Sequence, residues 1–395
     1  MWLFWLGAAG ALAFSGPMAC NASILGGMMP PRSALVAALL LGLAACGGNG
    51  LPRVPGDAGP LDTGAGDAGA SDAAPISAPA NQWTWVDVPG SACDDGSPTG
   101  FAVNRGTGTD LLIYFEGGGA CWDYATCYVL NSATHGPVGS AQWAGRAAQV
   151  NVGPFDRARA TNPFRASSYA YIPYCTGDLH GGTHVQPYTW LADTRQHHHV
   201  GHTNAQLFLE RIRATWPGPT RVVVGGTSAG GFGATLNYAM IRGAFPAAKM
   251  ALIDDAGPLL AKEGIPYTVR GPWFTSWHLG DTVDALCPGC RDDLSSLYTV
   301  LSNKYPVDRM GLLSALQDPV IAVYFSLSLQ QFESSLRATV RDRFDGTSNL
   351  RAYLVAGTQH GFLATSATTA SAGTSLESWL DALVNGGAGW ATVAP

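Results

Sequence analysis

The first chemical signal lies in five consecutive residues, Gly226-Thr227-Ser228-Ala229-Gly230. They match the G-x-S-x-G spacing of a nucleophile elbow, in which a serine sits on a sharp turn between a strand and a helix. The context suits it. Arg221-Val222-Val223-Val224-Gly225 reads as a buried strand, and a helical pattern through Met240 and Ile241 follows. Flanking glycines let strand and helix pass close to a strained turn. The helix N-terminus then points its amides and the positive end of its dipole at negative charge developing on a reacting carbonyl. No Lys follows the glycines, which excludes a phosphate loop. Ser228 is therefore the expected nucleophile.

A second cluster, Glu116-Gly117-Gly118-Gly119-Ala120-Cys121, follows the apolar run Leu111–Phe115. Without side chains, such a loop brings backbone N–H groups close to a tetrahedral oxyanion. Gly118 and Gly119 are the expected donors, with Ala229 as the third; one such donor is worth about 3 kcal/mol of transition-state stabilisation. The base should be a late His. His360 fits, because it follows the apolar run Ala352–Ala356, whereas all other histidines except His278 precede Ser228 and break the order nucleophile, acid, base. His197-His198-His199 reads as a solvated loop, since adjacent histidines cannot all face one ion. No metal and no cofactor are expected. The acid stays open by spacing: Asp254, Asp255 and Asp318 would each orient the His and stabilise the imidazolium, and one of the first two could simply cap a turn.

These residues need a frame. Leu111–Phe115, Arg221–Gly225, Lys249–Ile253 and Leu350–Ala356 read as strands, and Asn204–Thr215 as a helix ended by Pro217 and Gly218. Strands alternating with helices predict an α/β fold, a mostly parallel central sheet flanked by helices. The folded domain should begin near Trp83 and occupy residues 81–395. Apolar residues make up 47% of the chain and charged residues 13%, enough for a sizeable core. The net charge of −6, with no basic run, excludes a nucleic-acid partner. A monomer is expected.

The N-terminal region reads as export machinery. Arg32, the apolar run Ser33–Ala45 and Leu43-Ala44-Ala45-Cys46 form a lipoprotein signal over residues 28–45, with Cys46 as the lipidated residue. The apolar run is too short to span a bilayer. Residues 1–27 read as an upstream start-codon extension, and residues 46–80, rich in Gly, Ala, Asp and Pro, as a low-complexity tether. The expected location is the envelope of a bacterial cell, anchored or secreted. Six further cysteines, Cys93, Cys121, Cys127, Cys175, Cys287 and Cys290, then argue for disulfides. Cys287-Pro288-Gly289-Cys290 has no second such pair to make a zinc site and is read as a local disulfide.

Five segments occur in a telling order: Cys93–Phe101, Phe115–Cys121, Ile172-Pro173-Tyr174-Cys175, Gly226–Gly231 and Asp255-Ala256-Gly257. Together they resemble the pectin acetylesterase family, which includes the Notum carboxylesterases, over about Cys93 to His360. The resemblance implies an α/β-hydrolase fold and metal-free ester hydrolysis. It makes Asp255-Ala256-Gly257 a structural segment, implies Asp318 as the acid, and suggests the pairs Cys93–Cys175 and Cys121–Cys127. The chain departs from plant members at Ala120, where they carry Trp, and over Cys287–Arg343, which leaves the substrate open. An acylated carbohydrate is the leading expectation, with Trp122, Tyr124, Trp273, Phe274 and Trp277 as residues that could stack on sugars or merely pack. A lipid acyl ester or polyester is the second reading. A non-catalytic surface-binding lipoprotein is the third, and the complete Ser–Asp–His set argues against it.

Overall fold

The computed structural model describes residues 74–395. The segments expected to be an upstream extension, a lipoprotein signal with Cys46 and, as far as residue 73, a tether lie outside the described residues. The packed region starts earlier than the composition suggests. Ile76 is buried in the core and its N–H donates to Thr215 Oγ1 at 2.9 Å, so packing begins before Asn81.

Among the described residues, a two-residue pair, Ala370–Ser371 with Thr374–Ser375, follows ten longer strands: β1 Trp83–Ala92, β2 Pro98–Asn104, β3 Leu111–Phe115, β4 Ser168–Ile172, β5 His184–Trp190, β6 Asp193–His199, β7 Arg221–Thr227, β8 Lys249–Asp255, β9 Arg309–Ala315 and β10 Leu350–Val355. Eight of them make one sheet in the order β1-β2-β4-β3-β7-β8-β9-β10. The five pairings from β4 to β10 are parallel, and β1 and β2 add an antiparallel edge. β5 and β6 form a separate hairpin.

The helices are α1 Ser140–Arg146, α2 Gly201–Thr215, α3 Ala229–Ala244, α4 Tyr267–Ser276, α5 Leu279–Val283, α6 Ser296–Lys304, α7 Pro319–Tyr324, α8 Leu329–Arg343 and α9 Leu376–Asn385. The central strands explain why their sequences are apolar without alternation. Val222 and Val224 of β7 enter a core built with Phe208 and Ile212 of α2 and Phe232 of α3; Val223 enters a second core with Trp379 and Leu383 of α9. Met250 and Leu252 of β8 divide from Ala251 and Ile253 in the same way. Side chains of a strand alternate between faces, and here both faces are covered. Among the described residues no helix is long and apolar enough to cross a membrane.

Three disulfides join Cys93 to Cys175, Cys121 to Cys127 and Cys287 to Cys290. The first closes a loop of 82 residues and ties the β1–β2 turn to the segment after β4. Restricting so long a loop in the unfolded chain stabilises by about 2–5 kcal/mol. Replacing Cys93 and Cys175 together by Ser is expected to cost that amount in urea unfolding. An unchanged midpoint would show that the cross-link contributes nothing.

Candidate active site

Ser228 stands between β7 and α3 with φ 60° and ψ −124°. A non-glycine residue held there costs on the order of 1–3 kcal/mol and persists only where its surroundings over-determine it. They do so here. Ser228 N–H donates to Asp255 O at 2.7 Å, and Ser228 O accepts from Gly231 N at 2.8 Å. The motif glycines are required by close approach. A Cβ on Gly226 would lie 2.2 Å from Gly230 O, and one on Gly230 would lie 2.0 Å from Phe115 O.

The glycine loop lies against this turn, since a Cβ on Gly117 would meet Thr227 O at 2.3 Å and Ser228 Cβ at 3.0 Å. Its outer side is paired: Gly118 O accepts from Thr134 N at 2.6 Å, and Ala120 N donates to Ser132 O at 3.3 Å. Among the described residues the N–H groups of Gly118, Gly119 and Ala229 meet no acceptor, and Gly119, Ser228 and Ala229 line the same slot. Glu116, just before the glycines, is anchored by Tyr174 N at 3.0 Å and Arg146 at 3.2 Å, and burial raises its pKa.

His360 follows β10, and its Nδ1–H donates to Asp318 Oδ2 at 2.7 Å. Asp318 is the N-cap of α7, and its Oδ1 accepts from Val320 N at 2.9 Å and Ile321 N at 3.2 Å. The carboxylate is fully buried while His360 keeps 23% of its surface exposed. A ring held by a carboxylate at Nδ1 has Nε2 left to take a proton. The three acidic candidates thus separate by geometry. Asp254 accepts from Gly257 N at 3.0 Å and closes the turn after β8; burial pushes its pKa up to about 7. Asp255 accepts from Phe362 N at 2.9 Å, Leu363 N at 3.0 Å and Thr227 Oγ1 at 2.7 Å. It joins the Ser228 turn to the His360 loop without reaching the imidazole by hydrogen bond. Thr227 also accepts from Tyr114 OH at 2.9 Å. Sequence reasoning missed these two brackets; the one available signal was a hydroxyl residue at the variable position of the motif.

Beside Ser228 lies a narrow apolar slot with about 20 Å³ of free space, bounded by Phe232, Trp273, Ile321, Tyr324 and Phe325. Trp273 is buried and stacks on Trp277 at 5.1 Å. Trp277 is fully buried with its indole N–H on Cys121 O at 2.8 Å, so it packs and cannot stack on a sugar. Trp122, Tyr124 and Phe274 are half-buried.

The triple histidine is corrected by the structure. It belongs to β6, where alternation turns His197 and His199 fully inward. Both donate to Thr176 O, at 3.2 and 2.9 Å, and accept from Tyr128 and Tyr188 hydroxyls. A disulfide–His group, Cys121, Cys127 and His197, lies close together, but the bonded sulfurs offer no thiolates to an ion. His184 and His278 stack on each other at 3.7 Å.

His180 is buried as well, and burial holds its pKa down at about 4. An unfolded His titrates near 6.5. The unfolded chain therefore binds more protons between these values, so the stability this residue contributes is complete above about pH 6.5 and falls as pH drops toward 4. Wild type is expected to lose about 2–3 kcal/mol more than His180→Gln between about pH 7 and pH 4.5. Parallel urea titrations test this; equal losses would refute a buried neutral His180.

Comparison with known proteins adds to this geometry. The family model described as pectinacetylesterase matches residues 81–283. Palmitoleoyl-protein carboxylesterase Notum of Mus musculus is 25% identical over 191 residues, 47% of this chain and 34% of its own length. The enzyme of the same name from Drosophila melanogaster is 28% identical over 191 residues, 45% of this chain and 27% of its own. The chain thus spans about a third of the length of these curated relatives. The structure of the Wnt deacylase Notum from Drosophila superposes with a TM-score of 0.57 at 20% identity, covering 77% of this chain and 93% of that one, which shows a shared fold.

Proposed function

The chain belongs to the pectinacetylesterase family, and from that premise we propose that it is a serine carboxylic ester hydrolase removing short acyl groups, acetyl above all, from an acylated carbohydrate. The catalytic domain is the region 81–395 with its packed lead-in from Ile76. The observations that carry this reading are a strained Ser228 beside unpaired loop N–H groups and a His360 oriented by buried Asp318, their two loops joined through Asp255.

In this reading His360 Nε2 takes the Ser228 proton as Oγ attacks the ester carbonyl. The N–H groups of Gly118, Gly119 and Ala229 hold the oxyanion in a setting already shaped for it. The tetrahedral intermediate collapses, and the alcohol leaves with the proton from His360. Water, deprotonated by the same His, then attacks the acyl-enzyme and releases the acid. Asp318, held by two helix N–H groups, keeps the ring oriented and faces the imidazolium as it forms.

The slot favours a short acyl group. Pockets for drug-sized ligands run from roughly 300 to 1,000 Å³, whereas this slot offers only about 20 Å³ of free space between aromatic walls at Phe232, Trp273 and Phe325. Its apolar lining also supports the second reading, a long-chain acyl ester, on which the named relatives act.

Hydrolysis of p-nitrophenyl esters from acetate to palmitate tests both. Acetate is expected to be turned over fastest. Ser228→Ala should abolish turnover in a folded protein, and Asp318→Asn should lower kcat by about 10⁴-fold. Activity surviving in folded Ser228→Ala would end the serine mechanism; a preference for palmitate would favour the long-chain reading. We also propose that the domain is exported and held at a membrane through lipidated Cys46. Cys46→Ala should then move the protein from the membrane to the soluble fraction, and an unchanged distribution would count against the anchor.

A further inference from the structure

The glycine loop is useful to an oxyanion only if its peptide planes face the right way, and glycines do not hold a plane by themselves. The structure shows what holds them. The segment Tyr174–His180 follows β4 and runs fully buried beneath the loop. Tyr174 hydroxyl donates to Gly119 O at 2.8 Å, which fixes the peptide after Gly119. Its oxygen accepts from Leu179 N at 2.8 Å, so the hydroxyl proton has one available direction. His180 Nε2–H donates to Glu116 O at 2.8 Å, which fixes the peptide carrying the Gly117 N–H.

Both side chains are themselves immobilised. Their rings pack at 4.7 Å, and His180 meets Phe115 of β3 edge-on at 5.0 Å. His180 also fills the space opposite Gly233 of α3, where a Cβ would lie 2.7 Å from its ring. Its main chain is held from both sides: Asp178 accepts from His180 N at 3.1 Å, and Asn237 of α3 donates to His180 O at 2.9 Å. The helix that begins at Ser228 and the loop that approaches Ser228 are therefore registered against each other through His180. Burial keeps the imidazole neutral down to about pH 4, so this donor does not change character through the ordinary working range.

We propose that Tyr174 and His180 are positioning residues that clamp the two ends of the Gly117–Gly119 segment and so orient the oxyanion donors. The proposal rests on the esterase reading above. Neither residue touches the reacting atoms; each acts through a loop carbonyl.

A clamp on the oxyanion donors acts on the transition state and leaves substrate binding alone. Tyr174→Phe removes the hydroxyl and keeps the buried ring. Its kcat for p-nitrophenyl acetate is expected to fall by about tenfold or more, with KM within about twofold. Affinity for methylboronic acid, which forms a tetrahedral adduct on serine, should weaken in proportion to kcat. A purely structural role would shift the urea midpoint and leave that proportionality absent. Should Tyr174→Phe fail to fold, His180→Gln and His180→Leu decide: Gln retains an N–H for Glu116 O and should recover much of the kcat that Leu loses. Wild-type kcat and inhibitor affinity in folded Tyr174→Phe, or equal kcat in the two His180 variants, overturns the clamp alone. Wild-type protein inert toward every ester overturns the esterase reading, and the clamp with it.

Discussion

The Asp255 carboxylate is fully buried, and three protein groups supply what water would otherwise give it. Phe362 N, Leu363 N and Thr227 Oγ1 donate to its oxygens, and the carbonyl of the same residue takes the N–H of Ser228. An unpaired carboxylate at that depth costs several kcal/mol, and removing one partner of a buried charge leaves most of that cost standing. The end of β8, the Ser228 turn and the His360 loop therefore have one arrangement in which this charge is satisfied. Burial raises its pKa, and its hydrogen bonds pull the other way. What is at stake is architecture: Asp255 sets where Ser228 and His360 sit.

The positive φ of Ser228 follows from that arrangement. Strain at one residue is tolerable when neighbours leave it no alternative, and glycine on both sides supplies the clearance. The central strands are buried on both faces by helices, so the frame beneath the turn gives little. The proposed chemistry draws on this stiffness, because donors that need no reorganisation act at full strength on a developing charge.

A second buried polar layer lies behind the glycine loop. His180, His197, His199 and Asp178 are all fully enclosed, and each is paired through Tyr, Thr or backbone groups. The histidines stay neutral, donating at one ring nitrogen and accepting at the other, or donating alone in the case of His180. Such a layer restricts side-chain arrangements more sharply than an apolar core does, because each member must keep its partners.

Reading Ser228, the glycine loop, His360 and the central strands needed only local pattern: apolar runs, glycine placement and chain order follow from backbone sterics and burial, which short windows of sequence express. Asp318 was not separable from Asp254 and Asp255 by spacing, since all three close strand ends; the resemblance singled it out, and the distance to His360 distinguishes it in the structure. His197 and His199 were misread because a polar run resembles a loop unless one knows that a hairpin covers it and that period two turns alternate residues inward. The bracing roles of Tyr174, His180 and Asp255 were not legible locally, and Thr227 offered only a hydroxyl at the variable position of its motif. Their roles lie in partners 28 to 113 residues away, and only folding decides which buried donor finds which acceptor.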